Sequence, residues 1–247
     1  KPLSPYAITK YVNELYADVF ARTYGMECIG LRYFNVFGRK QDPNGAYAAV
    51  IPLFVKQLIN HEPVLINGDG EYSRDFTYIN NVIQMNLLAM TTYNPEAINT
   101  VYNTAFGERT TLNELMAALK NQLAVFDPAI ATVKSTYGPN RAGDIPYSLA
   151  SIDKAKILLG YDPKFSIQQG LQEAVSWYWE NILDDAAEKD LWVNPINAAE
   201  VLEQFPIEKI QEIAWLGEPP STEWLSQRIK QIITGILDGS ENIPAPN

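Results

Sequence analysis

The first 45 residues constrain the fold more than any other part of the chain. Ser4 is a good N-cap residue, Pro5 suits the first helical position, and Gly25 is placed to end the helix that they begin. Cys28–Val36 is a mostly apolar run of strand length, as in a parallel strand that is buried on both faces. A loop rich in Gly, Asn, Asp and Pro follows at 38–45. Helix, buried strand and polar loop in this order indicate a doubly wound α/β fold, in which ligands bind beyond the carboxyl ends of the strands.

The chain continues to residue 183 as an alternation of helices and short strands. The apolar patterns predict helices at 48–60, 80–92, 111–125, 151–159 and 166–182, and strands at 64–66, 101–103 and 131–136. Asn67-Gly-Asp-Gly70 is a strong turn signal, and Thr111 with Glu114 predicts a capping box at the start of a helix. We therefore treat residues 1–183 as one α/β unit.

Composition narrows the class of protein. With 247 residues, 47% of them hydrophobic, the chain can bury a sizeable core. The single cysteine, Cys28, excludes internal disulfides, and the single histidine, His61, argues against a histidine-based metal site or a Ser-His-Asp triad. No apolar run is long enough to span a bilayer, and no signal segment heads the sequence. A cytoplasmic protein without a bound metal is the expectation.

The negative charge is concentrated at the C-terminal end. The net charge is −10, and residues 184–247 contain 12 acidic and 4 basic side chains, a net of −8. This sign disfavours nucleic acid and membrane surfaces as partners. We predict an acidic, α-helical extension of unknown role at 184–247, with helices at 197–204, 207–216 and 221–237.

Tyr6 and Lys10 are the candidate catalytic pair. Their four-residue spacing places both side chains on the same face of the first predicted helix. An ammonium beside a phenol stabilises the phenolate, which makes the hydroxyl a usable proton acceptor or donor. The spacing alone is weak evidence, because about 0.7 such pairs would arise by chance in a chain with 14 Tyr and 12 Lys.

Further motifs, found in a fixed order along the chain, strengthen the assignment of Tyr6 and Lys10 as a catalytic pair. Pro5-Tyr-Ala-Ile-Thr-Lys10, Leu31-Arg-Tyr-Phe-Asn-Val-Phe-Gly-Arg39 and the segment 41–52 are joined by Ser73-Arg-Asp-Phe76 and Arg141-Ala-Gly-Asp144. Together they resemble the extended short-chain dehydrogenase/reductase family, and within it the UDP-N-acetylglucosamine 4-epimerases. The resemblance covers about residues 1–183 and implies the C-terminal part of an NAD(P)-binding, Rossmann-like doubly wound fold interleaved with a small substrate-binding domain.

The resemblance implies a role for each matching position. Tyr6 would be the catalytic acid/base, and Lys10 would assist it and hydrogen-bond the nicotinamide ribose. NAD would be the cofactor, contacted by Tyr6, Lys10, Tyr33, Phe34 and Val36. A UDP-sugar would be the substrate, contacted by Asn35, Gln41, Ala49, Val50, Leu65, Asn67, Arg74, Arg141, Asp144 and Ser148. Arg74 and Arg141 would clamp the diphosphate, a task that suits guanidinium groups.

Ser148 bears on the choice of sugar. In this family the residue four positions after the Arg-x-x-Asp aspartate limits the space around the sugar C2 substituent. Here that residue is Ser148, a small side chain that favours UDP-GlcNAc and UDP-GalNAc, whereas its neighbour Tyr147 would exclude an N-acetyl group. A shift of one residue in the comparison would reverse this expectation.

The sequence also departs from the family. None of the 14 glycines lies in a G-x-G-x-x-G or G-x-x-G-x-x-G fingerprint, so the chain lacks the phosphate-binding turn for NAD. We therefore expect a fragment that is inactive alone. Two other interpretations stay open: a nucleotide-sugar dehydratase or decarboxylase of the same family, and a non-catalytic truncated chain that acts as an interaction module. The resemblance also implies a homodimer formed through the Tyr6 helix.

Overall fold

The computed structural model describes residue 2 and residues 5–44, 48–140 and 144–182. The predicted N-cap Ser4, the predicted diphosphate ligand Arg141 and the predicted acidic extension at 184–247 lie outside the described residues. Within them, no helix is long and apolar enough to cross a membrane.

Helices and strands alternate along the chain, which confirms the predicted α/β class. The helices are α1 (Pro5–Tyr24), α2 (Val50–Ile59), α3 (Ile79–Thr91), α4 (Leu112–Leu123), α5 (Asp153–Leu159) and α6 (Ile167–Ile182). The strands are β1 (Ile29–Tyr33), β2 (Asn35–Phe37), β3 (Val64–Asn67), β4 (Ser73–Arg74), β5 (Phe76–Tyr78), β6 (Thr100–Thr104), β7 (Thr110–Thr111) and β8 (Ser135–Gly138). The pairs β1–β6, β2–β5 and β3–β8 are parallel, and β4–β7 is antiparallel.

The apolar run after α1, predicted as one strand, is two strands with different partners. β1 pairs with β6, whereas β2 pairs with β5. The change occurs at Phe34, whose N–H donates to the Thr104 carbonyl (3.1 Å), while the Asn35 N–H donates to the Asp75 carbonyl (3.2 Å). The prediction of one continuous strand was wrong because apolar character does not reveal which neighbour a strand pairs with.

The strand predicted at 131–136 was also misplaced. A 3₁₀ turn occupies Pro128–Thr132, and β8 begins only at Ser135. The Asp127 side chain accepts a hydrogen bond from the Ala129 N–H, and Pro128 stands at the first position of the turn, so local capping outweighs the apolar pattern. The capping box of α4 is confirmed: the Thr111 hydroxyl accepts from the Glu114 N–H (3.1 Å), and the Glu114 carboxylate accepts from the Thr111 N–H (2.8 Å).

Two apolar cores lie among the described residues, and the chain contributes to them in turn. The first core is formed by α2, α4, α6 and the strands that they cover, with Leu58, Leu119, Leu171 and Tyr178 fully buried in it. The second is formed by β1, α3, β6 and the segment 150–161, with Met85, Tyr102 and Tyr161 at its centre. Strands β1 and β2, which pack against these cores, also border two surface grooves of the molecule.

Helix α1 contributes a buried residue to neither core. Its apolar side chains are exposed, among them Ile8, Val12, Leu15 and Val19. Monomeric proteins seldom leave so continuous an apolar surface uncovered.

At Gly170, α6 packs closely against β2 and β5. A Cβ added there would lie 2.6 Å from Tyr78 Cγ and 2.8 Å from Phe37 Cζ. We expect Gly170→Ala to lower the free energy of unfolding by about 1–3 kcal/mol through overpacking, although alanine is the better helix former by about 1 kcal/mol. Urea denaturation measures the change. The matched control is Gln172→Ala on the exposed side of α6, expected within about 0.5 kcal/mol of the unaltered chain. Unchanged or raised stability in Gly170→Ala would contradict the packing described.

Candidate functional site

A groove of about 580 Å³ lies between α1, β1 and the segment 99–101. We call it the Tyr6 groove. The side chains of α1 that line it come from one face of the helix, and they are Tyr6, Lys10, Asn13, Glu14, Ala17, Asp18 and Ala21. The facing wall is formed by Cys28, Gly30, Leu31, Arg32 and Tyr33, followed by Asn99, Thr100 and Val101. Three residues predicted to act together, Tyr6, Lys10 and Tyr33, therefore share one groove.

Tyr6 and Lys10 are close neighbours, as their spacing predicts. The Lys10 ammonium nitrogen lies 5.2 Å from the centre of the Tyr6 ring, a cation–π distance. The Tyr6 side chain is open to a ligand, with the residue 71% exposed. Tyr33, at the end of β1, is oriented by its hydroxyl, which donates to Asn86 Oδ1 of α3 at 2.8 Å.

An ion pair joins α1 to β1. Arg32 donates from Nε and from Nη2 to the two carboxylate oxygens of Glu14, each at 2.6 Å. The hydrogen bond with Arg32 lowers the pKa of Glu14 below its usual value, and the same bond raises the pKa of Arg32. The pairing sets the position of the Tyr6 helix along the strand. Sequence reasoning missed it, because two charges 18 residues apart on different elements leave no periodic signal.

A second groove, of about 310 Å³, lies at the carboxyl ends of β2 and β3 and at the start of α2. We call it the Arg74 groove. Seven of the ten predicted substrate residues line it: Asn35, Ala49, Val50, Leu65, Asn67, Arg74 and Asp144. Val36, predicted beside the cofactor, also lies in this groove, together with Phe37, Phe54, Phe76 and Leu112, which sequence reasoning did not single out.

Two positive features face the Arg74 groove. The first turn of α2 contributes Val50 and Ile51, and its N-cap Ala49 has no side chain that could accept a hydrogen bond from the free N–H groups. Such a helix start attracts anions. Arg74 adds a guanidinium, which is held at its base by hydrogen bonds from Nη1 to the carbonyls of Ser73 (3.0 Å) and Pro146 (3.4 Å). Together they suit a phosphate group.

Asp144 completes the polar lining. Its Oδ1 lies 3.5 Å from Nη2 of Arg74, so the two residues form an ion pair across the groove. The side chain of Arg74 is the more enclosed of the two, at 17% exposed against 36% for Asp144. A carboxylate there can accept hydrogen bonds from ligand hydroxyls while the guanidinium faces an anion.

Three predicted site residues that the structure describes line neither groove. Phe34 is partly buried against the second core. Gln41 donates from Nε2 to the Val36 carbonyl (3.4 Å), and its Oε1 is buried without a hydrogen-bond partner among the described residues. Ser148 donates its N–H to the Ser73 carbonyl (3.1 Å), and its neighbour Tyr147 is exposed, with the Arg109 guanidinium 5.9 Å from its ring centre.

The two grooves come near each other along the chain at the end of β1. Tyr33 lines the Tyr6 groove and Asn35 lines the Arg74 groove, so the linings are two residues apart along the chain. Two residues span at most about 7 Å of backbone. One ligand can therefore lie with an anionic part in the Arg74 groove and a reacting part near Tyr33. Among the described residues, no group of three or more His, Cys, Asp or Glu is placed to hold a metal ion.

Comparison with known proteins gives a family match and similar solved structures. Residues 1–105 match the family described as NAD dependent epimerase/dehydratase. The chain is similar to UDP-glucose 4-epimerase from Thermotoga maritima, solved with UDP-glucose: 40% identity and a TM-score of 0.67, over 74% of this chain and 55% of that one. It is also similar to a UDP-N-acetylglucosamine 4-epimerase from Methanobrevibacter ruminantium, solved with UDP-N-acetylmuramic acid: 37% identity and a TM-score of 0.66, over 73% and 55%.

A third relative gives the same coverage. UDP-glucuronate 4-epimerase from Thermodesulfobacterium geofontis is 32% identical over 182 residues, which are 73% of this chain and 52% of that protein. The chain thus spans about half the length of the relatives that it matches. The predicted Rossmann-like α/β fold is confirmed for the matched part.

Proposed function

We propose that the chain carries the substrate-binding part of a UDP-N-acetylhexosamine 4-epimerase, since its residues 1–105 match the NAD dependent epimerase/dehydratase family. One observation supports this most: seven positions spread from Asn35 to Asp144 converge on the Arg74 groove, beside a second groove that contains Tyr6 and Lys10. The relatives named above act on three different UDP-sugars. The preference for UDP-GlcNAc and UDP-GalNAc rests on the family resemblance at Ser148, a small residue that lines neither groove but is bonded through its backbone to Ser73, the neighbour of Arg74.

The Arg74 groove would bind the nucleotide. Arg74 and the start of α2 would hold the diphosphate, Asp144 would accept hydrogen bonds from the ribose hydroxyls, and the apolar side chains of Leu65 and Leu112 would cover the base. Asn35 would contact the diphosphate or the sugar. The sugar would then point past Asn35 towards the Tyr6 groove, because Asn35 and Tyr33, which line the two grooves, are only two residues apart.

Tyr6 would move the proton. As a phenolate it would take the proton of the sugar C4 hydroxyl. It would return the proton after the 4-keto sugar has rotated to present its other face. Lys10, whose ammonium lies 5.2 Å from the Tyr6 ring, would stabilise the anionic phenolate. Bound NAD supplies reversible hydride transfer at the same carbon.

The Tyr6 groove fits only one end of that cofactor. Tyr6, Lys10 and Tyr33 line it and would hold the nicotinamide and its ribose, whereas no glycine-rich phosphate turn exists among the 14 glycines. The pyrophosphate would have to bind to residues outside this sequence.

Replacing the proposed acid/base tests the chemistry. In the longest natural reading frame that contains this sequence, assayed with UDP-GlcNAc and NAD, we expect Tyr6→Phe to lower kcat about 10²- to 10⁴-fold, the usual contribution of a positioned proton donor. UDP binding should stay within about twofold. Tyr16→Phe, another exposed tyrosine of α1, is the matched control and should retain activity. Full activity in Tyr6→Phe, or a 4-keto or decarboxylated product in place of the C4 epimer, would contradict the proposal.

Nucleotide binding can be tested on the chain itself. Isothermal titration should detect UDP, and Arg74→Ala should weaken it roughly 10- to 100-fold, the range expected for hydrogen bonds to a charged group. The matched control is Arg22→Ala, which removes an exposed arginine paired with Asp18 on α1. Equal UDP affinity in the two variants would exclude Arg74 as a diphosphate ligand.

The exposed face of α1 suits a second copy of the chain. Ile8, Val12, Leu15 and Val19 are spaced by four, three and four residues, as in the seam between two packed helices. They lie on the side of α1 opposite the residues that line the Tyr6 groove. A homodimer through α1 would cover this stripe and leave the groove accessible.

Light scattering after size-exclusion chromatography tests the dimer. We expect the unaltered chain to be dimeric and Leu15→Asp to be monomeric, because a carboxylate would be buried in the apolar seam. Ile157→Asp, at an apolar residue of α5 that is 78% exposed, is the matched control and should leave the dimer intact. A monomeric unaltered chain, or a dimeric Leu15→Asp variant, would rule out this interface.

A further inference from the structure

Asp75 is a fully buried carboxylate that lines neither groove. Its Oδ1 accepts hydrogen bonds from the Phe106 N–H (3.0 Å) and the Thr77 hydroxyl (3.5 Å), and its Oδ2 accepts from the Gly107 N–H (3.0 Å) and the Ala150 N–H (3.4 Å). These donors are neutral, and no Lys, Arg or His of the described residues forms an ion pair with it. Burial raises the pKa of Asp75, and the backbone hydrogen bonds oppose that rise. A buried carboxylate is tolerated only where such bonds are made.

Asp75 is the single residue between β4 and β5, and we call the extended segment 73–78 that contains all three the Asp75 strand. The position of Asp75 in this strand determines what the neighbouring side chains face. Side chains alternate along extended backbone. Ser73, Asp75 and Thr77 therefore point to one side and are buried, whereas Arg74 and Phe76 point to the other side and line the Arg74 groove. An anchor on the buried side holds Arg74 and Phe76 in place on the groove side.

The Asp75 carboxylate joins two other segments to the Asp75 strand. Phe106 and Gly107 follow β6, and Ala150 ends the segment that carries Asp144. That segment also pairs with the strand through its backbone, since the Ser73 N–H donates to the Pro146 carbonyl (3.0 Å) and the Ser148 N–H donates to the Ser73 carbonyl (3.1 Å). The backbone carbonyl of Asp75 accepts from the Asn35 N–H (3.2 Å). Asp75 is thus bonded to, or adjacent to, the segments that bring Asn35, Arg74 and Asp144 to the groove, whereas the fourth polar side chain, Asn67, comes from β3.

The loop that meets Asp75 is shaped for this contact. Gly107 has a φ of +90°, a conformation that residues with a side chain rarely adopt, and this backbone directs two successive N–H groups at one carboxylate. Successive N–H groups of this kind form a small anion-binding concavity. Here the anion is a side chain of the same chain.

We propose that Asp75 is the positioning residue of the Arg74 groove, whose carboxylate fixes the spacing of Asn35, Arg74 and Asp144 for a nucleoside diphosphate. This inference rests on the proposed function, since it assumes that the groove binds UDP. Asp75 itself does not touch the ligand. It acts through the strand and the two segments that it holds together.

Asp75→Asn tests the inference with little change of shape. The amide offers one acceptor oxygen instead of two, and its NH₂ group faces an N–H donor, so some of the three backbone bonds are lost. We expect hydrogen exchange to show lost protection at the amides of Gly107 and Ala150, and titration to show at least a tenfold weaker affinity for UDP. Gly107→Ala perturbs the same contact from the loop side through its unfavourable φ, and the same two changes are expected.

A matched control separates positioning from stability. Leu171→Ala removes a fully buried side chain of the first core, outside both grooves, and its loss of unfolding free energy is measured by urea denaturation beside that of Asp75→Asn. All variants are titrated with UDP at a temperature where they are folded. We expect Leu171→Ala to bind UDP within twofold of the unaltered chain. The inference is overturned if Asp75→Asn and Gly107→Ala also bind within twofold, or if Leu171→Ala loses as much affinity.

If the proposed function were wrong, the experiment would give a result different from a failure of the Asp75 inference. In that case the unaltered chain itself would not bind UDP. The exchange measurement would then decide alone, and retained protection of the Ala150 amide in Asp75→Asn would overturn the anchoring role.

Discussion

The change of strand partner at Phe34 is the constraint on which the candidate site depends. Up to Tyr33 the chain pairs in parallel with β6, and from Asn35 it pairs in parallel with β5. Parallel strands bring their carboxyl ends to one edge of a sheet, and ligands bind at such edges where neighbouring connections diverge. The change therefore opens one groove on each side of a single residue.

The electrostatics of the two grooves differ. In the Tyr6 groove the charged groups of α1 and β1 largely neutralise each other, through the bidentate pair of Glu14 and Arg32. In the Arg74 groove an uncapped helix start adds to the guanidinium, and among the described lining residues Asp144 is the one carboxylate that opposes them. This difference favours an anion in the second groove and an uncharged reacting group in the first. A nucleotide-sugar has that distribution of charge along its length.

Local signals carried the sequence predictions that succeeded. The spacing of Tyr6 and Lys10 and the capping box of Thr111 with Glu114 depend on residues within one helical turn, and both geometries are found. The ordered motifs identified most of the Arg74 groove because they included residues from several strand ends. The contacts that the sequence did not predict are those between distant elements, such as Glu14 with Arg32 and Asp75 with Ala150. Their partners are set by how elements pack, which no local pattern records. The misplaced strand at 131–136 had the opposite cause, since a proline with a capping aspartate outweighed its apolar residues.

The alternation of the chain between its two cores has a consequence for how the molecule forms. The buried residues of the first core run from Phe37 to Tyr178. The second core takes buried residues from Met85 to Tyr161 and also partly buried residues of β1, from Ile29 on, so the two cores overlap along the sequence. Neither can be completed by a continuous segment. Contacts between residues so far apart in sequence must close large loops before they stabilise anything, which slows folding. A ribosome must therefore release nearly all of this stretch before either core is whole.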